Sequence, residues 1–245
     1  MRRDRSFGRQ KDTTLDMLGT TERDHKIYAE RLTVGSTLVS AERGLYPIAK
    51  RGLDIFLALI ALLVLFPLFL IISIAIKLTD RGPVLFWQKR VGKGGVEFDF
   101  PKFRSMVTDA ERKRRELLSE NHHGGECVTF KIKNDPRITP VGSLLRKFSL
   151  DELPQFWCVL KGDMSLVGPR PALPIEVAQY TDYQRGRLAV LPGLTCFWQV
   201  QGRANIPFPE QVEMDLKYIT ERSLLLDIVL LCKTLPAVIL ARGAY

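Results

Sequence analysis

Cysteine and histidine are scarce in this chain. Cys127, Cys158, Cys196 and Cys232 stand far apart in 245 residues, with no C-x-x-C pair, and His25, His122 and His123 add no ligand spacing. That scarcity excludes a disulfide-stapled secreted module and a zinc-built fold. The four thiols read as reduced and partly buried in a cytosol-facing domain. No internal repeat or low-complexity tract is present, and the first 45 residues are polar. The apolar run starts too late for a signal peptide, so none is expected. Acidic residues are outnumbered, 27 against 36 Lys and Arg, for a formal net charge of +9. Excess basic charge suits nucleic acid, anionic lipid or phosphorylated small substrates. Here the basic residues are dispersed among Pro and Gly turns without an aromatic platform, which excludes a nucleic-acid binder.

Charge itself is missing from Ile55 to Ile76. Seventeen of these 22 residues are Leu, Ile, Val or Phe. At ~0.3–0.6 kcal/mol each, they favour entering a bilayer by on the order of 5–10 kcal/mol. A straight helix of that length rises ~33 Å, about the thickness of the hydrocarbon core. A spanning helix should carry more Lys and Arg on its cytoplasmic side. Instead Arg43, Lys50 and Arg51 precede this run, and Lys77, Arg81, Lys89, Arg90 and Lys93 follow it. Pro67 removes a backbone donor near the middle and can bend the segment there. Two arrangements fit these residues: a re-entrant hairpin dipping into one leaflet, and a spanning helix kinked at Pro67.

Residues 1–45 form a polar tail with some helix expected around Thr21–Leu32. Gly82-Pro83 marks the exit from the membrane segment (46–81), and 82–245 form the remaining domain. Val84–Val91 and Val96–Phe100 read as a hairpin turning at Gly92-Lys93-Gly94-Gly95. That glycine cluster lacks the Gly-Lys-Ser/Thr ending of a phosphate loop. Thr108 and Glu111 make a capping box for a charged helix to about Asn121, and Thr129–Lys133 reads as a short strand. His122-His123 with Gly124-Gly125 reads as a loop. From Val141 the pattern is mainly helical, broken by Gly162, the 168–171 turn and Pro192-Gly193. Leu224–Leu240 is apolar but interrupted by Asp227, Lys233 and Pro236. Asp227 and Thr234 are seven apart on one helical face, so an interfacial or domain-packed helix fits better than a second span.

Ser149-Leu150-Asp151-Glu152-Leu153-Pro154 carries the sharpest chemical signal. Its structural reading is a capping box, Ser149 with Glu152. Pro154 argues against a regular continuation, so the dyad is expected at a distorted helix start, where free N–H groups favour anions and keep Asp151 ionised. An ionised carboxylate beside phosphate-binding donors is a plausible nucleophile. Lys102 and Arg104 share a face if extended. Arg170 sits between Pro169 and Pro171, which restrict the backbone and preorganise its guanidinium for bidentate phosphate contact. Arg137, Arg146 and Arg203 are further candidates. Several cations in rigid contexts with an acidic dyad suggest a diphosphate bound with a divalent cation.

Together these segments resemble one family, the monotopic phosphoglycosyl transferases, bacterial sugar transferases that initiate exopolysaccharide and glycan assembly. The resemblance covers roughly residues 48–245. It is carried by Lys50-Arg51…Asp54, Gly82-Pro83-Val84-Leu85-Phe86, Lys102–Met106, Asn134–Arg137 and Ser149–Gln155. Gly162–Pro171, Pro192–Thr195, Trp198-Gln199-Val200…Gly202-Arg203 and Gly243-Ala244-Tyr245 complete it. Departures are few: Cys158 stands where asparagine is common, Cys196-Phe197 where Gly-Leu is usual, and Phe66 where some members have serine before Pro67.

The resemblance implies an α-rich α+β fold on a monotopic membrane protein. A re-entrant helix-break-helix hairpin broken at Pro67, a small β-hairpin and a mainly helical cytosolic catalytic domain with interfacial helices would compose it. It implies transfer of a hexose-1-phosphate, galactose or glucose favoured, from a UDP-sugar to a polyprenyl phosphate, typically undecaprenyl phosphate, with UMP released. Asp151 would be the nucleophile and a ligand of Mg²⁺. Glu152 would position the cation or partner Asp151. Lys102, Arg104, Arg146, Arg170, Pro171 and Arg203 would bind substrate. The implied setting is the bacterial inner membrane, with contacts to membrane lipids and a possible homodimer. The competing readings are the same chemistry on an N-acetylated sugar and a non-catalytic scaffold of a polysaccharide machine.

Overall fold

The computed structural model describes residues 44–110, 112–113, 135–202 and 205–239. The chain divides into Met1–Ala41 and Glu42–Tyr245, and only the second unit contains described residues. The expected tail helix, most of the charged helix toward Asn121, the loop at His122, the strand Thr129–Lys133 and Arg203 therefore lie outside the described residues.

Leu45–Asp80 form a single 36-residue helix, α1, with Pro67 inside it. Phe56, Leu63, Val64, Phe66 and Ile71 along it are exposed. A helix apolar all round and uncovered by protein needs lipid as its solvent. The helical path continues through Pro67, so a change of direction there is a bend within one helix and not a gap between two. Proline removes one donor, and a helix can bend at that point without ending. Arg81 ends α1 in the left-handed region (φ 43°), its N–H donating to the Lys77 carbonyl at 3.0 Å. Gly82 follows, and a Cβ there would lie 1.8 Å from Arg104 Nη1, so any larger residue would displace the Arg104 guanidinium from its seat.

Both ends of α1 are fastened to the rest of the domain. Arg51 donates to the carbonyls of Val159 and Leu160 at 2.6 and 2.8 Å. Asp54, on the same face three residues on, accepts from the Leu166 N–H at 3.0 Å. At the far end, Ile72 and Ile76 are buried with Phe103 and Leu145, while Leu68, Phe69, Leu150 and Leu153 pack around them.

The expected hairpin is present: β1 (Leu85–Val91) pairs antiparallel with β2 (Glu97–Phe103), Lys102 opposite Phe86. Gly94 and Gly95 supply positive φ in the turn between them. Phe98 and Phe100 alternate inward with Glu97 and Asp99 outward, as a half-buried strand requires. Next come α2 (Pro140–Lys147), a 3₁₀ segment Leu150–Gln155 and α3 (Phe156–Lys161). Thr139 caps α2, accepting from the Gly142 N–H at 2.9 Å. Gly162 ends α3 at φ 95°, where the sequence places a break.

One element was not expected. Ser165–Val167 (β3) and Gly193–Thr195 (β4) form a two-stranded parallel pair within the otherwise helical second half. Three-residue strands are too short to show a period-2 pattern. Gly168 and Gly193 make the close approach possible, since a Cβ on Gly193 would sit 2.1 Å from the Gly168 nitrogen.

Helices α4 (Phe197–Gln201), α5 (Phe208–Glu221) and α6 (Leu224–Ile239) complete the described chain. Asp227 is buried and accepts from Lys50 (2.8 Å), Tyr46 (3.1 Å) and Tyr218 (2.7 Å). Thr234 meets Thr195 at 2.7 Å between hydroxyls. The polar face of α6 thus packs inward, leaving Leu225, Ile228, Val229 and Leu235 exposed. An amphipathic helix turned apolar side out is the arrangement of an interfacial element.

Candidate active site

Asp151 lies in the first turn of the 3₁₀ segment and is 7 % exposed. Ser149 introduces that segment with a left-handed backbone, φ 56°, a conformation costly for a non-glycine residue and concentrated at functional sites. It separates α2 from the dyad. The capping box expected here is not formed. Ser149 makes no side-chain cap bond, and the Glu152 carboxylate points to cations instead. Two opposite charges offer that carboxylate more than one backbone N–H does.

Glu152 is the centre of the charge cluster. Lys102 Nζ donates to its Oε1 at 2.8 Å. Arg170 grips both oxygens, Nη1 to Oε2 at 3.2 Å and Nη2 to Oε1. Burial would raise the Glu152 carboxyl, but Arg170 and Lys102 hold it well below the usual carboxylate range. Asp151 behaves oppositely: burial pushes its carboxyl up, against the pull of Lys102, Arg146 and Arg170. The expectation that helix-start donors keep Asp151 fully anionic is therefore replaced by desolvation as the leading effect. A desolvated carboxylate is more basic and a stronger nucleophile than a solvated one.

Three supports aim Arg170. The strand β3 leads directly into Gly168-Pro169, and the Gly193 N–H donates to the Pro169 carbonyl at 2.9 Å. The Val91 N–H and Arg90 Nη1 bind the carbonyls of Ala172 and Pro171 at 2.9 and 3.1 Å. The Gln199 amide, turned so that both its ends are satisfied, accepts from Arg170 Nη1 at 2.7 Å and donates to Leu194 at 3.3 Å. Burial and the Arg170 charge lower Arg90 to about 10. Pro171 is buried and lines a small hollow beside Arg170 with Tyr180, Arg187 and Leu188.

Of the expected site residues, the structure gathers Asp151, Glu152, Lys102 and Arg170. Arg146 is close: its Nε donates to Ser105 at 2.8 Å, and its charge is coupled to Asp151. Arg104 is elsewhere. Its buried guanidinium lies against Gly82, with Nη2 3.4 Å from Asp80 at the end of α1. The strand face shared with Lys102 diverges at its end because Asp80 offers Arg104 a nearer carboxylate. Arg137 is committed to Asp135, 2.6 Å away. Gln199 and Arg90 were absent from the expected site, although Gln199 stands inside a motif that carried the resemblance and Arg90 lies on the expected hairpin strand.

The arrangement fits a divalent cation in one way. Among the described residues no cluster of three His, Cys, Asp or Glu side chains exists, and Glu152 is already engaged by two cations. Asp151 is the carboxylate left. Mg²⁺ is commonly held by one or two carboxylates together with substrate phosphates, so Asp151 is the residue that would hold one, alongside a bound phosphate.

Comparison with known proteins decides the lineage. The bacterial sugar transferase family matches residues 45–241. The chain belongs to this family. It is 48 % identical over 200 residues to galactosyl transferase CpsE of Streptococcus agalactiae serotype III, covering 80 % of this chain and 43 % of that protein. It is 43 % identical to the undecaprenyl-phosphate galactose phosphotransferase of Salmonella typhimurium, over 80 % of this chain and 41 % of that protein. Exopolysaccharide production protein ExoY of Sinorhizobium fredii is 41 % identical, over 81 % of this chain and 88 % of that protein. As a bacterial sugar transferase, the chain thus spans nearly the whole of a short relative and under half of the longer ones.

Proposed function

We infer that this sugar transferase moves a hexose-1-phosphate from a UDP-sugar to a polyprenyl phosphate, the first step of an exopolysaccharide repeat unit. The observation that carries the reading is Asp151, desolvated and ringed by Lys102, Arg146 and Arg170, in a chain of this family. The names of two relatives make galactose-1-phosphate the first group to test.

The residues suit a two-step exchange. An Asp151 carboxylate oxygen attacks the sugar-bearing phosphorus. The bond from that phosphorus to the bridging oxygen breaks, and UMP leaves with the bridging oxygen and its electron pair. An oxygen of the polyprenyl phosphate then attacks the aspartyl phosphosugar and returns Asp151 as a carboxylate. Lys102 and Arg170 hold the donor diphosphate in the first step and the reacting phosphates in the second, their charges offsetting the negative charge that develops. Mg²⁺ at Asp151 would supply further neutralisation of phosphate charge.

The re-entrant arrangement of α1 belongs to the same proposal. Arg51 and Ile72 are 21 residues apart, ~31 Å along a straight helix. Arg51 binds Val159, and Leu153 packs against the cluster that contains Ile72, Ile76, Phe103 and Leu145; these two are six residues apart in the contiguous segment Leu150–Lys161, ~9–12 Å. Both arms reaching one segment supports a bend at Pro67, with the two ends and the catalytic domain on the cytosolic face of a bacterial inner membrane.

Membranes carrying this protein, given UDP-galactose, polyprenyl phosphate and Mg²⁺, should release UMP and form a lipid-linked sugar diphosphate. Asp151→Asn, protected from deamidation, should abolish both while still partitioning to membranes. Near-normal transfer by that variant would remove Asp151 as the nucleophile.

A further inference from the structure

The first arm of α1 carries three charged residues, Lys50, Arg51 and Asp54, each with a partner in the catalytic domain; Lys50 holds Asp227 on α6, and the other two reach the segments that carry the charge cluster. An ionisable side chain on a membrane-inserted element is costly and is kept where it has a specific partner. Arg51 and Asp54 are three apart and share a helical face. Asp54 is 3 % exposed and accepts from the Leu166 N–H at 3.0 Å. Leu166 lies in β3, four residues before Arg170. Arg51 closes on the carbonyls of Val159 and Leu160, near the end of α3. That helix continues without interruption from the 3₁₀ segment bearing Asp151 and Glu152.

We propose that Arg51 and Asp54 form a two-point clamp by which the membrane arm sets the spacing between the Asp151 segment and the Arg170 turn. They are positioning residues: neither touches the charge cluster, and each acts through the segment it binds. The Arg51 end engages helix-terminal carbonyls, where a cation is the fitting partner, and shares the Val159 oxygen with the Gly162 N–H at 3.2 Å. The Asp54 end supplies a charged acceptor to a strand of only three residues, too short to hold its own register. Nucleophile and phosphate anchor are thus assembled on the arm that enters the bilayer. The clamp rests on Arg170 being the anchor of the diphosphate.

The test is a double-mutant cycle on nanodisc-held protein, with kcat and KM for UDP-galactose measured beside a melting curve. Asp54→Asn keeps shape and one acceptor oxygen, so it tests charge. It should raise KM about tenfold alone, and by under about threefold in an Arg170→Lys background, because coupled residues are non-additive. Arg51→Lys should lower kcat, leaving KM for the donor nearly unchanged. If Arg170→Lys alone leaves KM and kcat unchanged, the anchor reading fails. If Arg170→Lys is impaired but the Asp54 effect multiplies fully onto it, the clamp fails and the anchor stands. Lower melting temperature with unaltered kinetics, or loss of folded protein in both conservative variants, would assign the pair to the fold and overturn the clamp.

Discussion

Arg170 and Glu152 form a two-pronged ion pair, with Nη1 3.2 Å from Oε2 and Nη2 on Oε1. The planar fork that a substrate diphosphate would need is thereby filled by a carboxylate from the residue next to the proposed nucleophile. Lys102 shares the same Oε1. One carboxylate thus takes both cations.

Glu152→Gln removes that competitor while keeping its shape. UMP binding without divalent cation should tighten several-fold, and sugar transfer should fall. Calorimetry on nanodisc-held protein reads the first and UMP release the second. Weaker UMP binding would mean that Glu152 braces Lys102 and Arg170 instead of standing in for substrate.

Arg170→Lys keeps charge and loses the fork. Catalytic efficiency should drop about tenfold or more, in line with ~1.5–3 kcal/mol for a charge-assisted hydrogen bond. The melting temperature should shift little, because Lys102 still neutralises Glu152. A large melting shift with normal kinetics would make the pair structural.

Burial raises the Asp151 carboxyl, and Lys102 is the leading opposing charge. The acid limb of kcat/KM should therefore lie above the ordinary aspartate value of about 4. Activity is present above that raised pKa and lost as pH falls through it, since the protonated acid cannot attack. In Lys102→Met the limb should move further up. A limb at or below the ordinary value would contradict desolvation as the dominant effect.

Arg104→Gln should behave unlike the site variants. Its guanidinium serves the junction of Asp80 and Gly82, so the expected cost is stability, ~1–3 kcal/mol. Donor KM should stay near normal. A raised KM with an unchanged melt would return Arg104 to the phosphate site.

Single cysteines placed before Leu45 and after Ile239 should both label from the cytosolic side of the membrane. Labelling from opposite sides would rule out the re-entrant path. Pro67→Ala, which restores the missing donor, should favour the straight spanning form.

Much of this was readable in the residues because the controlling physics is local. Gly94-Gly95 turn the hairpin by backbone permissiveness, Pro154 distorts the helix start, and Pro169 and Pro171 flank the Arg170 turn. What escaped depends on distant partners. Ser149 and Glu152 have capping-box spacing, yet Lys102, 50 residues away, outcompetes the local bond. Arg104 has the same alternation as Lys102, and only the end of α1 reveals its carboxylate. Asp54, at the start of an apolar run, finds its partner 112 residues on. Charge pairing across such separations has no periodicity to read.

The outward row of Leu225, Ile228, Val229 and Leu235 on α6 bears on how the two substrates meet the protein. Seated at the surface of the bilayer, the protein would search for its lipid acceptor by lateral diffusion in two dimensions, while the nucleotide sugar arrives from bulk water. A two-step exchange suits that geometry. The small water-borne product can depart upward before the long-chain acceptor slides in from the side, so the two traffic lanes never cross.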